Sequence, residues 1–513
     1  MADDIEDIYP LTVTQQGMLL HALSRPQAGT FTEQLCWTLT GELRPDILRR
    51  AWQVLIARET LLRAEVVWEG MEEPLLVVRG EADLPWTDVD WSDRPAAGLP
   101  AQLDELAERE RLCPFDVTRG PLMRLVVVRL PGDRHRLLWT FHHLLIDGWS
   151  LALLVDQLAE TYRCLAAGEP VPARRRPPFR EYVAWLKTRD VDAARGYWRQ
   201  SLAGLSEPTP LGIDEVGPSE DRHVERYAEA EFAVPADVTA ELALRTRARR
   251  VTLNTAVEAA WARLLSAYTG RDAVLFGVTT SGRSASLPGI EAMVGMFINA
   301  LPVHVTVPVD LPVWQWLSAF QNAQLGRQDY EWLPLVSIRD CADLAAGEPL
   351  FETALVFENY PLDPAGWRWG QKTKAGELHY IGGRANHPLT LFIFPGDQLM
   401  FRAVFDARRL PPPRVAALLR HLGHLVTTIA AGRDPTVGQW SPLDEAELRR
   451  LVAPSGPPRA VGGPRPATVP ERFAAMASNR PEALAAVSAS GAITYRKLQQ
   501  RVSRLAALLK ESQ

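Results

Sequence analysis

Arg136-Leu-Leu-Trp-Thr-Phe-His142-His143-Leu-Leu-Ile-Asp147-Gly148-Trp149-Ser150 carries an apolar strand pattern into two adjacent histidines and then into an Asp-Gly-Trp-Ser segment. A second apolar run, Pro121 to Leu130, precedes it, and Pro131-Gly132-Asp133 separates the two. Apolar runs flanking such a triplet predict a β-hairpin. Ser150 is then expected to cap a helix whose apolar face is Leu151, Leu154, Val155, Leu158 and Tyr162, with Gly168 as its stop. Neighbouring strand residues point to opposite faces, so one histidine is expected toward the core and the other toward a cavity. That divergence argues against both rings holding one metal ion. Taken alone, a histidine pair at a strand end is more often structural than catalytic.

Outward from this stretch the pattern stays mixed α and β. Thr12 and Gln15 have the spacing of a capping box for a helix running to His21. Gly17 inside that helix costs about 1 kcal/mol against alanine and points to close approach of another backbone. Pro45 to Glu59 predicts a helix with Leu48, Trp52, Leu55 and Ile56 on one face. In the second half, Thr252 opens a helix with Val257, Trp261, Leu264 and Tyr268 on one face. Gly270 ends it, and the strand Ala273 to Thr280 follows. A Trp-centred helix followed by a strand in both halves hints at two related α/β lobes. Between them, Pro172, Pro177 and Pro178 frame Arg174-Arg175-Arg176, read as a surface crossing; a solvated charge run weighs against a partner-docking patch. Residues 448–466, rich in Pro, Gly and Arg, read as a linker.

The chain has 513 residues, which predicts two to four domains, and 47% are apolar, enough for large cores. Lys+Arg total 56 and Asp+Glu 62, a net charge of −6, so no global attraction to nucleic acid or anionic membrane is expected. Cys36, Cys113, Cys164 and Cys341 form no CxxC pair, which argues against a zinc ribbon or a disulfide framework. The acidic start, Met1-Ala-Asp-Asp, is unlike a secretory signal. No stretch reaches the roughly 18 apolar residues of a membrane helix, so a cytoplasmic location is expected.

His142-His143-x-x-x-Asp147-Gly148-Trp149-Ser150 resembles the signature of nonribosomal peptide synthetase condensation domains. Other segments match that family in order. They are Tyr9-Pro-Leu-Thr…Gln16-Gly-Met-Leu-Leu-His21, Phe179-Arg-Glu-Tyr182-x-x-Trp185, Tyr197-Trp198-Arg199, and Ser281-Gly282-Arg283. Met293-Val-Gly-Met-Phe297-Ile-Asn299-Ala-Leu-Pro302, Leu350-Phe351…Val356-Phe-Glu-Asn-Tyr360-Pro361 and Asn386-His-Pro-Leu389-Thr follow. One segment departs: Arg58-Glu59-Thr-Leu-Leu62-Arg63-Ala64 lacks the His and Thr of the family's Arg-His-x-x-Leu-Arg-Thr. In the tail, Val469-Pro-Glu-Arg-Phe473, Arg480-Pro481 and Ile493-Thr494-Tyr495…Leu498 resemble the opening of an adenylation domain. That domain's phosphate-binding Gly-rich loop and a carrier-protein serine motif are absent from the sequence.

The resemblance implies an α/β (α+β) fold of two chloramphenicol-acetyltransferase-like lobes in a V, with an active-site tunnel at their junction. The lobes would be residues 1–178 and 179–447, followed by the linker 448–466 and a truncated adenylation start, 467–513. It implies an acyltransferase that joins a donor acyl or peptidyl thioester to an acceptor aminoacyl amine. Both would arrive on phosphopantetheine arms of peptidyl carrier domains beside an adjacent adenylation domain. No cofactor or metal would be bound by this chain, and no nucleic acid or membrane would be involved. His143 would orient the amine and manage its proton, and His142 would support the loop. Asp147 would pair with Arg283 across the lobes. Gly148 would let a substrate arm approach the backbone, and Trp149 would pack at the loop. Ser150 would cap its helix, a Ser150–His143 nucleophilic dyad being the alternative. Phe297 and Asn299 fall in the matched floor-loop segment, where they would line the tunnel. The opening motif and the Gly-Met-Phe-Ile-Asn and Phe-Glu-Asn-Tyr-Pro runs look more like domains that accept a D-configured donor. Epimerisation, dehydration, ester formation and non-catalytic recruitment are the competing readings.

Overall fold

The computed structural model describes residues 4–24, 31–173, 175–214, 227–283, 286–345, 348–359, 369, 373–381, 387–452, 468–488 and 491–511. Arg174, Tyr360-Pro361, Asn386 and residues 453–466 of the expected linker lie outside them. Compactness divides the chain into residues 1–444 and 445–513.

The first lobe begins with β1 (Ile5–Pro10), α1 (Val13–Ser24), β2 (Thr32–Gly41), α2 (Pro45–Arg58), β3 (Ala64–Val67), β4 (Leu75–Arg79), β5 (Trp86–Asp90) and α3 (Leu99–Leu112). The expected hairpin follows as β6 (Met123–Leu130) and β7 (Arg134–His142), paired antiparallel with Met123 opposite Phe141. Then come α4 (Gly148–Ala167) and α5 (Phe179–Leu186); α6 (Val191–Ser201) follows and packs Ala194 and Trp198 into the core of the second lobe. α4 buries Leu151, Leu154, Val155, Leu158 and Tyr162, the face its period requires, and ends at Gly168 in the left-handed conformation. Burying each such side chain contributes about 1.5–3 kcal/mol. α1 has the expected capping box: Gln15 N donates to Thr12 Oγ1 (3.3 Å), and Thr12 N donates to Gln15 Oε1 (3.0 Å). Gly17 differs from expectation. Nothing lies within 4 Å of where its Cβ would be, so no neighbouring backbone explains it.

The second lobe comprises β8 (Tyr227–Ala233), α7 (Ala236–Ala248), α8 (Leu253–Thr269), β9 (Ala273–Thr280), β10 (Asn299–Thr306), α9 (Val313–Gln328), α10 (Leu335–Arg339) and β11 (Thr353–Phe357). It continues with β12 (Thr373–Ile381), β13 (Leu389–Phe394), β14 (Met400–Asp406) and α11 (Pro412–Ala430). Thr252 caps α8 by accepting from Thr255 N, and Gly270 closes it with φ 70°. The second-lobe sheet has the order β10-β9-β11-β13-β14-β8, and the first-lobe sheet β12-β2-β7-β6-β5. A mixed α/β fold of two lobes is therefore present.

Two segments of the second half cross the expected boundary. β12 adds to the first-lobe sheet by antiparallel pairing with β2. Ile290, Met293, Val294 and Phe297 join the first core, around Trp37, Trp52 and Trp139. Phe179, Tyr182 and Val183 of α5 do the same, so the first core extends past residue 178. Arg176 is no solvated charge. Its guanidinium lies 3.5 Å from the buried Glu59 carboxylate and donates to the Ala292 and Leu153 carbonyls.

Residues 445–513 hold α12 (Glu445–Val452), α13 (Val469–Asn479), the hairpin β15 (Leu484–Ser488) and β16 (Gly491–Thr494), and α14 (Tyr495–Glu511). Thr468 and Glu471 cap α13 reciprocally.

Candidate active site

The signature segment sits where β7 stops. Thr32 of β2 pairs with His142, the last strand residue, so the chain leaves the sheet at His143. His142 is buried and its Nδ1 accepts from Leu144 N at 3.1 Å, which places its proton on Nε2. That Nε2 is buried and has no partner among the described residues. Burial, with a smaller effect from the neighbouring His143, pushes the His142 ring down to about 4. His142 is therefore neutral at pH 7.

His143 is half-buried. Its backbone N donates to the Phe31 carbonyl (2.7 Å), and its Nδ1 lies 2.8 Å from the Ile146 carbonyl. A carbonyl can only accept, so Nδ1 carries the proton of the neutral ring and Nε2 carries the lone pair. Nε2 has no hydrogen-bond partner among the described residues. The two rings have opposite tautomers, fixed by opposite backbone groups, and only His143 offers a basic nitrogen. The described residues contain no cluster of metal-ligating side chains.

Asp147 turns the loop. Its carboxylate, fully buried, accepts from Ser150 N (2.8 Å), Phe297 N (3.2 Å) and Arg283 Nη2 (3.0 Å to Oδ1 and 3.2 Å to Oδ2). Its own N donates to the Gly295 carbonyl at 3.1 Å. The Arg283 side chain is 5% exposed. Its Nη1 donates to the Ile290 and Met293 carbonyls (2.6 and 2.9 Å), and its guanidinium lies 4.2 Å from the Phe297 ring centroid. The ion pair thus ties the β7–α4 loop of the first lobe to the 282–297 segment of the second. Gly282 permits this path: its φ is +65°, and a Cβ there would collide with the Phe297 carbonyl oxygen.

Ser150 does not cap α4. Asp147 is the N-cap, accepting from Ser150 N, and Ser150 lies one turn in. Both residue types favour N-caps, so residue preference alone did not point to Asp147 in place of the expected Ser150. The Ser150 hydroxyl donates its one hydrogen to the Gly295 carbonyl (2.9 Å). It accepts from Gly295 N (2.9 Å) and Arg283 Nη2 (2.8 Å). With its hydrogen and both lone pairs committed, it is a lobe-to-lobe tie, and no contact joins it to His143. Trp149 is half-buried rather than in the core, and its indole N–H donates to the Glu291 carbonyl at 3.0 Å. Gly148 is the first, buried residue of α4.

Asn299 and Phe297 are both buried. The Asn299 amide donates to the Glu331 and Leu333 carbonyls at 2.8 and 2.7 Å. Both residues line a cavity of about 220 Å³ whose wall also includes Thr12, Val13, Tyr182 and Trp332. Sequence reasoning did not single out Gln15 as a site residue. Its buried amide donates to the Leu144 carbonyl at 2.9 Å, bracing the loop from α1. The capping-box spacing marked Gln15, but nothing local in the sequence tied it to a loop 129 residues away.

The condensation-domain model matches residues 5–452. A linear gramicidin synthase protein of Brevibacillus parabrevis is 34% identical over 98% of this chain, and the chain spans 6% of that protein's length. Among solved structures, the four-domain nonribosomal peptide synthetase AB3403 aligns over 99% of this chain and 39% of its own, with TM-score 0.76 at 15% identity. The first condensation domain of the calcium-dependent antibiotic synthetase aligns over 86% of this chain and 100% of its own, with TM-score 0.71 at 20% identity. At these identities the structural likenesses speak for the fold, and the family follows from the match across residues 5–452. The chain belongs to the condensation-domain family of nonribosomal peptide synthetases, acyltransferases that form amide bonds.

Proposed function

We propose that this chain forms peptide bonds in nonribosomal peptide synthesis, with His143 as the residue that orients the acceptor amine and takes up its proton. The observation that carries this reading is the Nδ1 contact to the Ile146 carbonyl, which leaves Nε2 as the lone-pair nitrogen. A free α-amine has a pKa near 7.7–8.0, so roughly a tenth is already neutral at pH 7. The base therefore need not create the nucleophile. The amine attacks the thioester carbonyl, the carbon–sulfur bond breaks as the amide forms, and the proton lost by nitrogen passes to His143 Nε2 and then to the departing thiolate. Such proton handling is worth about 10²–10⁴-fold. Holding two tethered reactants together supplies about 7–11 kcal/mol. Positioning is thus the larger effect.

In this reading Asp147, Arg283 and Ser150 hold the loop, and His142 packs beneath it. Donor and acceptor substrates arrive on phosphopantetheine arms of separate carrier domains. The signature, intact in residues 142–148, favours catalysis over recruitment. The resemblance of residues 9–21 and 293–302 to domains that follow epimerisation supports a D-configured donor. The division into 1–178, 179–447, 448–466 and 467–513 is part of the same proposal, with α5 and residues of 290–297 lent to the first core and β12 to the first-lobe sheet. Residues 467–513 as an adenylation start are supported by the Val469-to-Leu498 pattern and by an alignment to the four-domain synthetase that runs over 99% of the chain.

The test is incubation with preloaded donor and acceptor carriers, followed by mass and stereochemical analysis of the product. An amide from a D-terminal donor is expected. An epimerised, dehydrated or ester product, or carrier binding without any product, would overturn the assignment.

A further inference from the structure

On the second lobe, α6 and α9 enclose a cavity of about 220 Å³ over β10, the edge strand of its sheet. Tyr197, Val303, Val305, Trp316 and Phe320 give it apolar and aromatic walls. It shares no lining residue with the signature loop. Arg327 is the one permanently charged side chain on its wall. It is half-buried and has no hydrogen bond or ion pair among the described residues. The other polar groups are largely committed. Gln324 accepts from Thr255 Oγ1 (2.6 Å) and donates to the buried Glu258 carboxylate (2.7 Å), and His304 Nδ1 donates to the Ser201 carbonyl (3.2 Å).

We propose that this cavity is a binding site for a small apolar monocarboxylic acid, its body against Trp316 and Phe320 and its carboxylate on Arg327. An unpaired guanidinium at the rim of an apolar cavity is complementary to an anion with a hydrophobic tail, and a charge-assisted bond there is stronger than one between neutral groups. One positive charge matches one negative charge. The guanidinium also acts on the buried Glu258 carboxylate behind Gln324, so the field left for a ligand suits a single negative charge and disfavours a dianion such as a phosphate monoester. The same carboxylate is sealed by Gln324 and Asn254, so an α-ammonium group finds no counter-charge on the wall, and a free amino acid is selected against.

The experiment is calorimetric titration of the whole chain, without carriers, using 3-phenylpropionate as probe. 3-Phenylpropanol, acetate, phenylalanine and phenyl phosphate serve as comparisons. Saturable one-to-one binding of 3-phenylpropionate is expected, with each comparison at least about 10-fold weaker. Arg327→Gln should weaken the probe about 10- to 100-fold, the range of a hydrogen bond to a charged group. Ala323→Trp, which fills the cavity from α9 and leaves the charge in place, should abolish binding. Circular dichroism confirms that each variant is folded. No saturation by the wild-type chain, tighter binding of phenyl phosphate, or equal affinity in the folded Arg327→Gln or Ala323→Trp variant would overturn the site.

Discussion

Replacing Asp147 with alanine removes one carboxylate and leaves several groups to readjust. Ser150 N and Phe297 N lose their acceptor, Asp147 ceases to cap α4, and Arg283 keeps its charge at 5% exposure with no counter-ion. Truncating one member of a buried ion pair costs about 3–5 kcal/mol, chiefly because the other charge stays buried and unpaired. Against a domain stability of about 5–15 kcal/mol, that is about a fifth of the total or more. The Ile290, Met293 and Ser150 contacts still hold the guanidinium, so the chain should fold, but less stably. Arg283→Met in the Asp147→Ala background removes the orphaned charge and should add little further loss or restore stability. The assay is denaturant unfolding of wild type, both single variants and the double variant, with native-state hydrogen exchange at the Ser150 and Phe297 amides. A coupling of about 3 kcal/mol and accelerated exchange at both amides are expected. A loss under about 1 kcal/mol for Asp147→Ala, additive single effects, or a fully stable but inactive Asp147→Ala enzyme would refute the reasoning.

Ser150→Ala should cost about 1–3 kcal/mol through the unpaired Gly295 groups, yet retain amide formation and yield no acyl-enzyme in the parent by mass spectrometry; a trapped acyl-Ser150 would contradict its structural role. Gly282→Ala combines a left-handed φ with a clash against the Phe297 carbonyl, so its thermal midpoint should fall by several degrees, while Gly17→Ala, with open space around it, should be neutral or stabilising. The folded His142 ring titrates near 4 and a free imidazole near 6.5, so the unfolded chain binds more protons between those values and stability falls as pH drops through that window. The His142 contribution reaches at most about 3 kcal/mol. Because His387 is pushed down to about 4 by burial as well, His142→Asn should flatten only part of the acid slope in denaturation midpoints measured from pH 7 to pH 4.

Local elements were readable because local chemistry specifies them. Pro131-Gly132-Asp133 forced the β6–β7 turn, Gly168 and Gly270 closed α4 and α8 in left-handed conformations, and Thr12 and Thr252 capped α1 and α8. Ser150 was the expected cap of α4, and Asp147, three residues earlier, takes that place. Its carboxylate accepts from Ser150 N and also meets Arg283. What the sequence could not disclose was long-range. No period in residues 373–381 says that they pair with β2, and Arg176 reads as one charge in a basic run until Glu59 is placed 3.5 Å away. The Asp147–Arg283 partnership entered through a family resemblance, since a spacing of 136 residues carries no signal of its own. The His143 tautomer follows from a backbone carbonyl that only the folded loop brings within 2.8 Å.

The central claim is that Nε2 of His143 is the working base. Single-turnover amide formation with both carriers preloaded, compared between wild type and His143→Ala of matched fold, tests it most directly. A fall of about 10²–10⁴ in the rate of the chemical step is predicted. An unchanged rate in a folded His143→Ala enzyme would contradict it.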